Sequence, residues 1–183
     1  MRGTRLAAVL PLTALACSAA GLAASGADGA GTSDALATFR LIHDPTEDKV
    51  VRCTHADGEY IDSLETASGT MTSPNPALSG EMTAKARAVI NTTTREGFVA
   101  GTLRLRDPAT GELKMKGDFA SAIKGVAIKG VIDGQLSDGR RIIANISALH
   151  DIPRGQEPHA LTGTLGGPSA PPLDLAVVMK GCR

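Results

Sequence analysis

Residues 112–140 read ELKMKGDFASAIKGVAIKGVIDGQLSDGR, and their alternation decides the fold. In the first half Leu113, Met115, Gly117, Phe119 and Ile123 share one parity, while Glu112, Lys114, Lys116 and Asp118 share the other. In the second half Val126, Ile128, Gly130, Ile132, Gly134 and Leu136 oppose Ala127, Lys129, Asp133 and Gln135. A period of two is that of a strand, whose successive side chains point to opposite faces. The breaks at Lys124-Gly125 and Ser137-Asp138-Gly139 are turn sequences. Strands joined so tightly are antiparallel neighbours, because a parallel return takes a dozen residues or more.

Working outward, the same x-Gly-x-apolar unit recurs at Ser68-Gly69-Thr70-Met71, Ser79-Gly80-Glu81-Met82, Ala100-Gly101-Thr102-Leu103 and Thr162-Gly163-Thr164-Leu165. Eight strands follow from this pattern, at roughly 62–72, 78–90, 98–106, 112–123, 126–136, 140–149, 160–166 and 173–180. Ala37 to Ile42 and Lys49 to Thr54 read as two short strands before them. No apolar stripe at i, i+3, i+4 persists, so no helix is expected after the N-terminus. Eight strands in a meander close most simply into an all-β, antiparallel up-and-down barrel, which leaves no edge open. The glycines fall on the apolar face each time, where they let narrow walls meet and coil.

Turn lengths set the expected register. A Lys124-Gly125 loop places Ile123 opposite Val126 and Lys116 opposite Asp133, and a Ser137-Asp138-Gly139 loop places Leu136 opposite Arg140. The Asp107 to Gly111 loop pairs Arg106 with Glu112 and Arg104 with Lys114. In strand number and connectivity alone this architecture resembles the calycin and allene-oxide-cyclase-like barrels. With no Trp in the chain, neither the lipocalin Gly-x-Trp signature nor the aromatic cage of avidin-like biotin binders is present. No family site is therefore carried over.

Composition bounds the function. Charged residues are 21% and hydrophobic ones 42%, an ordinary globular balance. Aromatics are only 2%, too few for the girdles of a membrane barrel; the charged alternate face suits water. Removing Arg2 and Arg5 with a leader leaves 17 basic against 19 acidic groups, so nothing draws the chain to nucleic acid.

The N-terminus reads as an export signal over residues 1–26, followed by a tether over 27–36 and a single barrel domain over 37–183. Arg2 and Arg5 precede the apolar run Leu6 to Ala16, and small residues continue through Ala24. Ala14-Leu15-Ala16-Cys17 resembles a permissive bacterial lipobox, which implies lipidation at Cys17; Ala14 departs from the usual Leu. An ordinary A-x-A-like cut between Ala16 and Ala27 is the alternative. Either route implies an extracellular or cell-surface protein, membrane-associated only through such an anchor. Cys53 and Cys182 then enter a compartment that permits disulfides, and their pairing is expected.

Strand direction sorts the loops onto two ends. One mouth gathers His55, His150, Asp151, Arg154, Glu157, His159 and Glu96, groups of the kind that do acid–base work, bind a ligand or hold a metal. Neither a metal nor a cofactor is expected, since no H-x-H, H-E-x-x-H or paired Cys-x-x-Cys spacing occurs. A second candidate is an anion patch of Lys85, Arg87, Arg104 and Lys114 on the outer wall. The third is the interior: hollow if the glycines and alanines leave space, packed if Met71, Met82, Met115 and Phe119 close it, the packed form being expected. The leading functional expectation is a non-enzymatic exported barrel that binds a small apolar ligand or an envelope component. The alternatives are an isomerase or cyclase using the histidine mouth, and a protein-binding inhibitor presenting the loop from Asp151 to Pro158.

Overall fold

The computed structural model describes residues 36–43, 45–150, 158–166 and 181–182. Among the described residues nine strands form one antiparallel sheet: β1 (Ala37–His43), β2 (Lys49–His55), β3 (Gly58–Thr72), β4 (Gly80–Asn91), β5 (Glu96–Arg106), β6 (Leu113–Lys124), β7 (Ala127–Leu136), β8 (Arg141–His150) and β9 (His159–Gly166). The neighbour order β1-β9-β8-β7-β6-β5-β4-β3, with β3 pairing back to β1, closes an eight-stranded barrel. β2 is an extra strand on the first half of β3.

The closing strand differs from expectation. β1 fills the gap between β9 and β3, a place the sequence reading assigned to 173–180, which lies outside the described residues. Ala37, Phe39 and Leu41 are buried and alternate with exposed Thr38 and Arg40, so they meet the same requirement. β1 and β2 are in effect one interrupted strand along β3. His43 pairs with Ala67 and Lys49 with Leu64, so the link between the two strands is longer than the stretch Glu65 and Thr66 that it passes on β3. The surplus is taken up by a 3-10 turn, Pro45–Glu47, a bulge that turns β2 off the barrel wall.

Parity holds through β3–β9, but two registers move by two residues. Ile123 pairs with Ile128, so Lys116 faces Gln135 and Asp118 faces Asp133. The turn is Gly125-Val126, with Gly125 at φ 62°, the positive φ that a two-residue primed hairpin turn needs at its first position. Asp133 pairs instead with the Arg141 guanidinium. Likewise Arg104 faces Lys116, with an irregularity between Leu105 and Arg106 that brings Arg106 against Leu113. Leu136 does lie opposite Arg140, its N–H bonded to the Arg140 carbonyl at 2.9 Å, with Gly139 at φ 88°.

Inside, the two halves of the barrel differ because their inward residues differ in size. The lower half holds Met71, Met82, Leu105, Met115, Ile132 and Leu165, all fully buried, and Leu78 closes that end from the 3-10 turn Pro76–Leu78. Each such side chain contributes about 1.5–3 kcal/mol on burial. In the upper half the inward positions include Ala67, Ala84, Ala86, Ala88, Ala148 and Ser121, too small to reach the axis. Gly101 shows why the wall needs glycine: a Cβ there would lie 2.0 Å from the Lys85 carbonyl oxygen.

Candidate functional site

The small residues of the upper half leave a cavity of about 110 Å³. Its walls are apolar, chiefly Phe39, Leu41, Phe119, Ile128 and Ile146, and its rim is polar, with His43, Glu65 and His150. Ser121, on the wall, is 1% exposed, and its hydroxyl is the one buried side-chain polar atom without a hydrogen-bond partner among the described residues. Buried hydroxyls are ordinarily satisfied, so an orphan facing a cavity marks a place for a ligand or water.

Three adjacent strands build the rim. His43 ends β1 directly opposite His159 at the start of β9, and His150 ends β8 opposite Leu161. His43 Nδ1 and His159 Nε2 are 2.8 Å apart. The His43 and His159 rings meet edge to face with centroids 4.6 Å apart, and those of His150 and His159 at 4.4 Å. On its other side His43 Nε2 lies 2.9 and 3.0 Å from the two Asp48 carboxylate oxygens. An ionised carboxylate only accepts, so His43 Nε2 carries the proton; a neutral His43 then accepts at Nδ1 from His159 Nε2–H. The 3-10 turn places Asp48 here, since its N–H bonds back to the Pro45 carbonyl.

Glu65 reaches the same rim from β3 and accepts a hydrogen bond from the Ser63 hydroxyl. Burial pushes its carboxyl above the usual range; the Ser63 bond and His43 act the other way, and Asp48 adds to the rise. The rim thus joins a hydrogen-bonded Asp48–His43 pair to a carboxyl whose pKa burial raises, above an apolar chamber.

Of the expected mouth residues, the fold brings together His150 and His159. His55 stands elsewhere, on the outer face of β2 against Tyr60, ring centroids 5.2 Å apart. Its Nε2 is 3.5 Å from Cys53 Sγ. Glu96 is exposed on the outside of β5, 3.9 Å from Lys124 Nζ. Asp151, Arg154 and Glu157 lie outside the described residues. His43, Asp48 and Glu65 were missed. The signal for His43 was the run Ala37, Phe39, Leu41, His43, whose parity puts the imidazole inside once β1 is taken as a barrel strand.

The four cations of the outer wall do not act alike. Arg87 makes a two-pronged bond to Asp62, 2.9 and 2.6 Å, which raises its pKa. Lys114 Nζ donates to the Ser79 carbonyl at 2.7 Å and lies 3.7 Å from Asp107. Lys85 and Arg104 are exposed. Asp62 itself is fully buried, because the chain's end covers it: the Cys182 N–H donates to its carboxylate at 3.0 Å. Cys182 is bonded to Cys53, with Cα atoms 5.6 Å apart, so the expected disulfide pins the C-terminus to the β2–β3 ribbon.

Fold and site together define a hollow eight-stranded barrel with one plugged end and one histidine-lined mouth. The chain matches no protein-family model, no curated protein and no solved structure.

Proposed function

We propose that this chain is an exported binding barrel for a small amphiphilic molecule, its apolar part held inside and its polar head at the mouth. The observation that carries the reading is the lining of the cavity: aliphatic and phenyl walls with polar groups only at the His43, Glu65 and His150 rim and at Ser121. Binding sites for small molecules have this character, a mostly apolar hollow with few polar groups that orient the guest. The volume sets the size. A cavity of about 150 Å³ admits benzene, so about 110 Å³ takes an apolar group of roughly four to five carbons. The leader and the disulfide framework support export, where such a carrier or sensor meets small molecules of the envelope.

The test is methyl NMR with 1-pentanol and butanone as probes. The reading expects saturable shifts at Ile123, Ile128 and Ile146, abolished by Ala86→Leu, which fills the chamber from β4. Shifts spread over the outer wall, or unchanged in A86L, would overturn it.

A second reading rests on the Asp48–His43 pair beside Glu65: a base oriented by a carboxylate, next to a carboxyl whose pKa burial raises, is suited to proton transfer α to a carbonyl. An isomerase of this kind would exchange the α-hydrogens of bound butanone for deuterium in D₂O. Exchange no faster than in buffer, or unaffected by His43→Gln, removes this reading and leaves the binding one standing.

A further inference from the structure

We propose that His43, His150 and His159 form a binding site for a divalent transition-metal ion of the zinc type, a role independent of the ligand reading above. The three come from the neighbouring strands β1, β8 and β9, and one ligand nitrogen from each falls within 4.8 Å of the others. Around a tetrahedral zinc, with Zn–N near 2.0–2.1 Å, imidazole nitrogens stand about 3.3 Å apart. His43 Nδ1 and His159 Nε2, now 2.8 Å apart, need open by only about half an ångström to exchange their mutual hydrogen bond for two metal bonds.

Two features distinguish this cluster from histidines that merely stack. His43 is held by Asp48 through the nitrogen remote from the other rings. A carboxylate on the far ring nitrogen fixes the tautomer that leaves the near nitrogen free to ligate, and makes it a better donor. Second, the residues are anchored on strand ends of a closed barrel rather than on loops, and His43 is 8% exposed, so little side-chain freedom is lost on binding. His43 and His150 also line the cavity. Three histidines leave a fourth coordination position, and a site of three protein ligands plus one open position is the catalytic rather than structural kind. An all-nitrogen set favours zinc, copper or nickel over magnesium or calcium. The set His43, Asp48 and Glu65 is also close enough to hold an ion, but it would take Asp48 away from orienting His43.

The experiment is titration of the untagged, chelator-stripped protein with Co²⁺ alone, followed by its visible d–d bands, then displacement by Zn²⁺. The expected result is one ion per chain with a dissociation constant roughly micromolar or tighter, and bands of tetrahedral intensity. His150→Gln and His159→Gln should each weaken binding at least 100-fold, Asp48→Asn by about 10–100-fold, and His55→Gln should leave it unchanged. Ring-nitrogen NMR of the unsubstituted protein serves if a variant does not fold: Zn²⁺ should shift the nitrogens of His43, His150 and His159 and not those of His55. Absence of d–d bands, binding that survives His150→Gln, or binding lost in Glu65→Gln yet kept in His150→Gln would overturn the assignment.

Discussion

Adding one methyl group at Gly101 should force the β4–β5 walls apart. A Cβ built there stands 2.0 Å from the Lys85 carbonyl oxygen and 2.7 Å from Ala86 Cα. Both are backbone atoms in mid-strand, where Ala86 pairs with Gly101, so no side chain can rotate away to make room. Overpacking typically costs about 1–3 kcal/mol, and with only backbone to yield the expected cost is about 3 kcal/mol. That is a large share of the roughly 5–15 kcal/mol that holds a domain folded. Gly134→Ala is the matched control on the same inner face. Its nearest neighbours are the Ile142 Cγ2 methyl at 3.1 Å and the Lys116 carbonyl at 3.2 Å, which need give only a few tenths. The lost unfolded-state entropy returns about 0.4–1 kcal/mol, so the net change should stay within about 1 kcal/mol. Urea unfolding followed by far-UV circular dichroism gives both values. In a thermal scan Gly101→Ala should lower Tm by about 6–12 °C, at about 2–4 °C per kcal/mol. Equal losses at the two positions, or a Gly101→Ala change under about 0.5 kcal/mol, would refute the close approach of the walls.

Other outcomes follow from the same geometry. Ser121→Ala removes a buried hydroxyl with no partner, so unfolding free energy should hold or rise by up to about 1 kcal/mol, while affinity for 1-pentanol falls; a clear loss of stability would mean the hydroxyl is satisfied. Reducing the Cys53–Cys182 bond, which spans 129 residues, should cost about 5 kcal/mol on the chain-entropy model, read as a fall in urea midpoint with dithiothreitol. Asp107 has its pKa lowered by the N–H groups of Ala109 and Thr110, then by Lys114. Because the folded value is the lower one, the carboxylate stabilises the fold above its unfolded pKa, and that contribution is lost as pH falls through the folded one. Asp107→Ala should therefore destabilise at pH 7, and by progressively less as the pH is taken down through the acid range, as denaturant curves along that series would show.

The barrel was legible because parity survives errors of register. Reading the hairpin as Lys124-Gly125 or as Gly125-Val126 changes every cross-strand partner by two residues and no side chain's face. Inward glycines and aliphatics were therefore placed correctly while Lys116 was given Asp133 as a partner it does not have. Residue spacing cannot settle which two residues form the turn; the positive φ of Gly125 does. The site was half legible. His150 and His159 follow from strand direction, but His43 depends on which strand closes the barrel, and two segments with equally good alternation competed for that place. Asp48 was out of reach, since it owes its position to the surplus of residues at the bulge between β1 and β2, whereas Glu65 shares the inward parity of Ala67 and Met71 on β3 and was overlooked. The interior was expected to be packed because Met71, Met82 and Met115 were taken as filling it; they fill only the lower half, and Ala84, Ala86, Ala88 and Ala148 leave the upper half open.

Diffraction from crystals held under xenon pressure addresses the hollow barrel most directly. An anomalous peak should stand inside the upper half, among Ala86, Phe119 and Ile146, and vanish in Ala86→Leu. Xenon bound only on the outer surface, with the alanine walls drawn together in the electron density, would contradict the account.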